Sequence, residues 1–175
     1  DYFRFSSIYN KKNSLKILNQ IKEHEKVINK KKKKLIIIDL DNTIWKGTIG
    51  DDSIEGINID ISDPVGSVYR YVQNILLAYK NKGFLLAISS KNNQELALEA
   101  LFEKNKSIFK KSDIVSYRIN WNSKSNNIKE ICNELDISLT ETIFIDDSDH
   151  ECDEVRTNCK GISIFKVPKN IYKYP

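Results

Sequence analysis

The 175-residue chain lacks methionine altogether and contains only two histidines, three cysteines, three prolines and six glycines. Because glycine and proline are scarce in a chain that is 40% hydrophobic, a disordered protein is excluded and a full core is predicted. No apolar run approaches the roughly 18 to 20 residues that cross a bilayer, and the first ten residues lack the apolar block of a signal peptide. We therefore expect a soluble, cytoplasmic protein with no membrane partner. The missing methionine predicts a fragment or domain of a longer protein.

The three cysteines are an odd number and form no closely spaced pair of the metal-binding kind. They also occur in a chain without an export signal, where disulfides are rare. We predict that Cys132, Cys152 and Cys159 are free thiols. Zinc prefers imidazole or thiolate ligands, so the lack of such clusters argues against a zinc site.

The net charge of +4 is mild, and much of the excess comes from the lysine run 30–34. One reading of this run is a solvated helix end that leads into the first strand. The other is a basic segment that steers an acidic partner or a phosphorylated substrate toward the site. The run has no interleaved aromatic residues and the chain has no recognised binding motif, so we expect no nucleic-acid partner.

Helical and strand periodicities alternate along the chain. The apolar spacing from Leu15 to about Asn29 predicts an amphipathic helix, and so a helical lead-in over 1–33 that precedes a second domain over 34–175. Ser123 or Ser125 is expected to cap a later helix. Helices are predicted over 65–82, 94–104, 126–135 and through Val155, and strands over 35–38, 84–88, 142–145 and 162–165, with extended pieces at 113–116 and 118–120. This alternation predicts an α/β fold with a parallel sheet flanked by helices.

The segment that follows the first strand alternates apolar and polar residues around glycines, which is typical of a β-hairpin. We predict a hairpin flap over 44–59 that stands above the end of the first strand. Asp51, Asp52 and Glu55 fall at its turn and are interpreted as turn formers, not ligands. Trp45 either packs on the core or lines the entrance to the site.

Polar groups follow three of the predicted strands at the point where each strand ends. Asp39 and Asp41 come after 35–38, Ser89 comes after 84–88, and the Asp146-Asp147 pair comes after 142–145. Ligands bind at the carboxyl edge of an open parallel sheet, and like charges brought together there are costly unless a cation neutralises them. Magnesium fits best, because it prefers hard oxygen ligands and shares phosphate oxygens.

These residues resemble the four motifs of the haloacid dehalogenase (HAD) superfamily. The first motif is similar to DLDNT at 39–43, the second to Ser89, the third to Lys124 and the fourth to the pair Asp146-Asp147. The segments DLDNTIWKGTIGDDSIEGI, LLAISSKNN, RINWNSKSNNI and FIDDSDHECDEVR resemble the FkbH-like branch, subclass IIIC, from about 34 to 168. The resemblance implies a Rossmann-like HAD catalytic domain over 34–175. The hairpin is the only insertion that we predict over the site, and no large cap domain is expected.

The resemblance also implies a role for each residue. Asp39 would be the nucleophile and Asp41 the general acid and base. Asp39, Asp147 and the backbone carbonyl of Asp41 would hold Mg²⁺, with Asp146 beside them. Ser89 would donate to the transferring phosphoryl group, and Lys124 would offset negative charge. The remaining residues expected to bind substrate or phosphate are Leu40, Thr43, Ser90, Lys91 and Asn92.

Three functions remain open at this point. FkbH-like proteins are implied to dephosphorylate a three-carbon acyl phosphate of the 1,3-bisphosphoglycerate type and to load the glyceryl unit on an acyl carrier protein in polyketide biosynthesis. Many of them carry cysteine where this chain has Ser89, which puts transfer through a thioester in doubt. The second candidate is a plain Mg²⁺-dependent phosphatase of small metabolites. The third is a non-catalytic domain that binds a carrier protein, and the intact Asp39 and Asp41 argue against it.

Overall fold

The computed structural model describes residues 33–168. The helix predicted over 15–29 lies outside these residues, and the division into 1–33 and 34–175 stays a prediction. No helix in the described part is both long and apolar enough to cross a membrane.

In the described part of the chain, five strands form one parallel sheet in the order β3-β2-β1-β4-β5, which confirms the predicted fold class. The central strand β1 pairs with β2 and β4, so that Leu35 is in register with both Leu85 and Thr142. The two extended pieces predicted around 113–120 are one continuous strand, β3, which pairs with β2 through a register shift. The strands are β1 (Leu35–Ile38), β2 (Leu85–Ser90), β3 (Ile114–Ile119), β4 (Thr142–Asp146) and β5 (Ser163–Lys166).

Between residues 33 and 168, five α-helices connect the strands, and four of them begin at a side chain that accepts a backbone hydrogen bond from the first turn. Ser123 caps α4 by accepting from the N–H of Asn126, so Ser123 and not Ser125 is the cap. Such caps satisfy N–H groups that otherwise lack a partner inside the helix. The helices are α1 (Ile49–Gly56), α2 (Pro64–Asn81), α3 (Gln94–Phe102), α4 (Lys124–Glu134) and α5 (Asp149–Asn158), and the other caps are Asp63, Asn93 and Ser148.

The sheet is covered on both faces. Along β1, Ile36 and Ile38 belong to one apolar cluster, whereas Leu35 and Ile37 belong to the other. All four side chains are buried, as predicted for a strand in the middle of a parallel sheet. Each such burial contributes about 1.5–3 kcal/mol to folding. The central strand therefore has a fixed position in the core, and so does Asp39, which directly follows Ile38.

The prediction of a hairpin over 44–59 is wrong for the centre of this segment. Lys46 and Asn58 do form one antiparallel bridge, but the chain between them contains the helix α1. Asp52 accepts a hydrogen bond from the N–H of Thr48 at 2.8 Å and so closes the first helical turn. The apolar residues of the alternating pattern pack into the core and do not pair as strands. Ile49 and Ile57, at the two ends of the helix, are both buried in the core.

The last two lysines of the run 30–34 lie at the edge of the sheet opposite to the strand ends that carry carboxylates. Lys33 is only 6% exposed, and its ammonium donates to the carbonyls of Thr140 and Thr142 at 2.6 and 3.1 Å. Lys34 pairs with Glu141 at 2.7 Å. Both lysines lie before the amino end of β1, away from the strand ends that carry carboxylates, so steering of a ligand by the lysine run stays a prediction. Residues 30–32 lie outside the described part.

Candidate active site

Three carboxylates meet at the carboxyl edge of the sheet. Asp39 follows β1 and donates its backbone N–H to the carbonyl of Ile145 at 2.9 Å, which ties it to the end of β4. One carboxylate oxygen from each of Asp39, Asp146 and Asp147 lies within 4.8 Å of the others. The structure thus places these three predicted metal ligands together, and a divalent cation between them would have hard oxygen ligands on three sides.

Lys124 is the only cation in contact with this group among the residues that the structure describes. It lies at the start of α4, is 2% exposed, and its ammonium bonds to a carboxylate oxygen of Asp39. The same nitrogen lies 3.1 Å from Asp146 and 2.6 Å from the carbonyl of Ser89. A lysine is almost never fully buried unless its charge is paired, so these contacts explain its position.

The electrostatics of the cluster show an excess of negative charge. The pKa of Asp146 is raised to about 7 and that of Asp147 to about 6. Burial is the larger cause in both, and the negative charge of Asp39 is the second. Burial alone would lower the pKa of Lys124, but the Asp39 and Asp146 carboxylates outweigh it and raise that pKa above its usual value. One ammonium therefore faces three carboxylates. The carboxylate oxygens suit a divalent cation, which would neutralise the negative charge that the ammonium leaves uncompensated.

The hydroxyl of Ser89 is buried and has no hydrogen-bond partner among the described residues. A buried polar group in this state costs about 1–3 kcal/mol. Its carbonyl already binds Lys124, so the orphan hydroxyl lies next to the carboxylate cluster. A ligand with acceptor oxygens, such as a phosphoryl group, would satisfy it. The neighbouring Ser90 is also buried at the end of β2.

Asp41 is separate from the three-carboxylate group and is held by hydrogen bonds of its own. One oxygen accepts from the indole N–H of Trp45 at 2.8 Å and from the backbone N–H of Ile49 at 3.3 Å. The other oxygen accepts from the amide of Asn92 at 2.9 Å. Burial raises the pKa of Asp41, and these hydrogen bonds offset part of the increase. Trp45 is fully buried, which confirms that it packs on the core.

The other predicted substrate-binding residues are placed around the same edge. Thr43 donates to Asp39 at 3.4 Å, and Leu40 is buried directly after Asp39. Lys91 contacts Glu151 of α5 at 2.8 Å, with about a third of its side chain exposed. These residues border the site, and their contact with a substrate stays a prediction.

Sequence reasoning missed two interactions that support the site. Both carboxylate oxygens of Glu154, on α5, accept hydrogen bonds from Ser125, one from its backbone N–H at 3.0 Å and one from its hydroxyl at 2.5 Å. This contact fixes the start of α4 beside Lys124. The second is the bond from Trp45 to Asp41. The partners of the first contact are 29 residues apart on different helices, so no local pattern could have indicated it.

The three cysteines are free, as predicted, and all three are buried. The thiol of Cys152 lies 3.8 Å from the carbonyl of Asp146, and burial raises its pKa to about 11. Burial likewise raises the pKa of Cys159 to about 11 and that of Cys132 above its usual value. All three thiols are therefore protonated at neutral pH, and a protonated thiol is a poor nucleophile.

Comparison with known proteins agrees with this geometry. The family model for acid phosphatases matches residues 31–169. The amino-terminal part of a Bacteroides fragilis protein, which contains a phosphatase domain and was solved with Mg, is 34% identical to the chain with a TM-score of 0.78. That match covers 81% of this chain and 38% of the other, so the chain spans little more than a third of that relative.

A HAD family enzyme from Bacteroides thetaiotaomicron, solved with magnesium and inorganic phosphate, shares the fold. It is 16% identical with a TM-score of 0.55, and the match covers 79% of this chain and 96% of that one. No curated protein is significantly similar to the sequence. The match to the acid phosphatase model extends over most of the chain and includes every residue of the carboxylate cluster. The chain therefore belongs to the acid phosphatase family, and it has the fold of HAD family enzymes.

Proposed function

We propose that this chain is a Mg²⁺-dependent phosphatase that transfers a phosphoryl group from a small phosphorylated substrate to Asp39 and then to water. The observation that carries this proposal is the cluster of Asp39, Asp146 and Asp147, with Lys124 bonded to the first two. A carboxylate and a phosphate are both anions and repel each other. A metal ion and the ammonium of Lys124 would offset this repulsion when the carboxylate attacks phosphorus.

The carboxylates of Asp39, Asp146 and Asp147 would hold the magnesium ion, together with the backbone carbonyl of Asp41. The ion would neutralise negative charge on the phosphoryl group and on the nucleophile. Support comes from the surplus of buried negative charge and from the two relatives that were solved with magnesium.

The chain's own residues account for both halves of the reaction. An oxygen of Asp39 attacks phosphorus while Asp41 gives a proton to the leaving oxygen, so that the bond to the leaving group breaks as the bond to Asp39 forms. Asp41 then takes a proton from water, which attacks phosphorus and releases Asp39. Lys124 keeps the attacking carboxylate in place, and the hydroxyls of Ser89 and Ser90 and the N–H of Leu40 would bind the phosphoryl oxygens.

The second candidate function is acyl transfer of the FkbH-like kind, with a three-carbon acyl phosphate as donor and an acyl carrier protein as acceptor. It is supported by the sequence resemblance over 34–168 and by an uncapped site, since only α1 is inserted between β1 and α2 and three residues separate β2 from α3. Against it, Ser89 stands where many such proteins have cysteine, and the described thiols are buried and protonated. We therefore place hydrolysis first.

One experiment separates these functions. The protein is incubated with Mg²⁺, 1,3-bisphosphoglycerate and a holo carrier protein, and free phosphate and the mass of the carrier are followed together. We expect magnesium-dependent release of phosphate with no gain in carrier mass. A carrier that gains the glyceryl mass would establish acyl transfer instead. Reactions without enzyme correct for spontaneous hydrolysis of the acyl phosphate.

Magnesium binding is expected to strengthen by at least about tenfold between pH 5 and pH 8, because the ion competes with protons on its carboxylate ligands. Asp146 and Asp147, whose pKa values are raised to about 7 and about 6, lose their protons within this interval. Isothermal titration calorimetry at several pH values measures the affinity. Asp153→Asn, on the exposed side of α5, is the matched control and should reproduce the wild-type curve. A constant affinity over this range would contradict the assignment of these ligands.

The same shifts determine how stability changes with pH. In the metal-free protein the raised pKa values mean that the folded state keeps protons that the unfolded state has already released. The free energy of unfolding should therefore fall as the pH rises from about 4 to about 7. Magnesium at a concentration near 100 times its dissociation constant should restore about 2.7 kcal/mol at pH 8. Chemical unfolding with and without the ion checks both signs.

A further inference from the structure

Both oxygens of the Asp41 carboxylate are held by donors from two separate segments. Trp45 and Ile49 lie on the insertion that follows β1, whereas Asn92 lies in the short loop between β2 and α3. The general acid of a phosphatase has to meet the leaving oxygen at hydrogen-bond distance, so the direction of this carboxylate decides whether it can act. The donors that hold the Asp41 carboxylate do not belong to the carboxylate cluster.

The two side-chain donors cannot easily turn away. The indole of Trp45 is fully buried, so its ring is fixed by the core on which it packs. Asn92 is 5% exposed, and its own amide oxygen accepts the backbone N–H of Asn93 at 3.1 Å. With the oxygen of Asn92 bonded to an N–H, its NH₂ group must be the end that faces Asp41, which settles the orientation of this amide.

The number of donors differs between the two oxygens. Each carboxylate oxygen offers about two acceptor positions. Oδ1 of Asp41 accepts from both Trp45 and Ile49, so both of its positions are used. Oδ2 accepts only from Asn92 among the described donors, which leaves one position there for a proton. A proton on Oδ1 would instead displace one of two donors that the fold holds in place.

We propose that Trp45 and Asn92 are positioning residues that aim the Asp41 carboxylate and direct its proton transfer through Oδ2. This proposal rests on the proposed phosphatase function. In the first step the proton on Oδ2 passes to the leaving oxygen as its bond to phosphorus breaks and the Asp39–phosphorus bond forms. In the second step Oδ2 accepts a proton from the attacking water as the Asp39–phosphorus bond breaks. Neither Trp45 nor Asn92 touches the phosphate in this scheme, so Asn92 acts through Asp41 and not as the phosphate ligand expected from the sequence.

The dependence of kcat/KM on the leaving group provides the test. For an enzyme that forms a phosphorylated aspartate, kcat/KM reports transfer of the phosphoryl group to Asp39 and not its later hydrolysis. Phenyl phosphate has a weakly acidic leaving group, since a phenol has a pKa of about 10, and it needs a proton donor. The leaving group of 2,4-dinitrophenyl phosphate is far more acidic and departs as an anion. Both esters are assayed with Mg²⁺ and the full chain.

Two variants remove one donor each, and a third is the control. Trp45→Phe removes the indole N–H, and Asn92→Leu removes the amide while keeping a side chain of similar size. For both we expect kcat/KM to fall by about 10- to 100-fold with phenyl phosphate and by less than about threefold with 2,4-dinitrophenyl phosphate. Trp121→Phe changes the second tryptophan of the chain, which is 75% exposed, and should leave both values unchanged.

Several outcomes would overturn the proposal. An equal loss with both esters would indicate general damage to the site, and no loss with either would show that the donors are dispensable. If Trp45→Phe fails to fold, as judged by circular dichroism and thermal unfolding, Asn92→Leu decides alone. Failure of the phosphatase function itself would look different, because wild-type protein would then hydrolyse neither ester, or Asp39→Asn would hydrolyse both.

Discussion

Replacing Asp39 with asparagine is expected to lower phosphate release by at least about 10³-fold, because the variant has no carboxylate to attack phosphorus. The substitution preserves the size of the side chain at a position that is only 7% exposed. It removes the carboxylate that pairs with Lys124 and replaces one of the three carboxylate ligands of the metal group with a neutral amide. Phosphate release from phenyl phosphate in the presence of Mg²⁺ measures the loss. Wild-type protein quenched in acid should also carry a phosphoryl group that the variant lacks.

The control for this variant has to change an aspartate of the same region without touching the site. Asp153→Asn serves, since Asp153 pairs only with Arg156 on the exposed side of α5 among the described residues, and such pairs contribute little. It should keep wild-type turnover. Unchanged turnover in Asp39→Asn would refute the covalent mechanism. Because the charge of Asp39 raises the pKa of Asp146 and of Asp147, both values should fall in Asp39→Asn, which NMR titration can follow.

Replacing Lys124 with methionine is expected to be the most damaging change to stability. The variant keeps the bulk of the side chain but leaves Asp39 and Asp146 without the ammonium that contacts them. Removal of one partner from a buried ion pair costs about 3–5 kcal/mol. We expect this loss in the free energy of unfolding at pH 8, measured by urea denaturation without magnesium, together with loss of phosphatase activity.

The pH dependence of the Lys124→Met variant separates its electrostatic cause from lost packing. In the wild type the pKa of Asp146 is already raised to about 7, and loss of the ammonium raises it further. At pH 5 the carboxyl is then protonated and carries no charge, so the destabilisation should be smaller than at pH 8. Equal destabilisation at both pH values would contradict this account. Lys129→Met, on the exposed side of the same helix, should change stability by less than about 0.5 kcal/mol.

The two variants act on opposite members of one ion pair, so their effects should not add. Asp39→Asn removes a negative charge from a site that has too many, whereas Lys124→Met removes the one cation that the described site contains. The double variant should therefore be more stable than the sum of the two single losses predicts, because each partner is costly mainly when the other is missing. Magnesium should restore more stability to Lys124→Met than to Asp39→Asn, in which a neutral amide replaces one of the three carboxylate ligands.

The elements of the α/β core could be predicted from the sequence because their signals are local. The run 35–38 is apolar on both faces and predicts a strand inside a parallel sheet, where it lies. The polar residues after three such runs, Asp39, Ser89 and Asp146, meet at one edge because parallel strands all end there. The sequence therefore determined the fold class and the chemical groups of the site.

Only the tertiary structure decided how those groups are held. The segment 44–59 has the alternating pattern of a hairpin, but it contains a short helix whose apolar residues pack into the core. The local pattern therefore predicted a different structure from the one that tertiary packing stabilises. The indole of Trp45 reaches Asp41, and Glu154 reaches the start of α4, through contacts that join distant segments. The charge state of Asp146 likewise depends on burial and on neighbours from other strands and helices, which no short stretch of sequence contains.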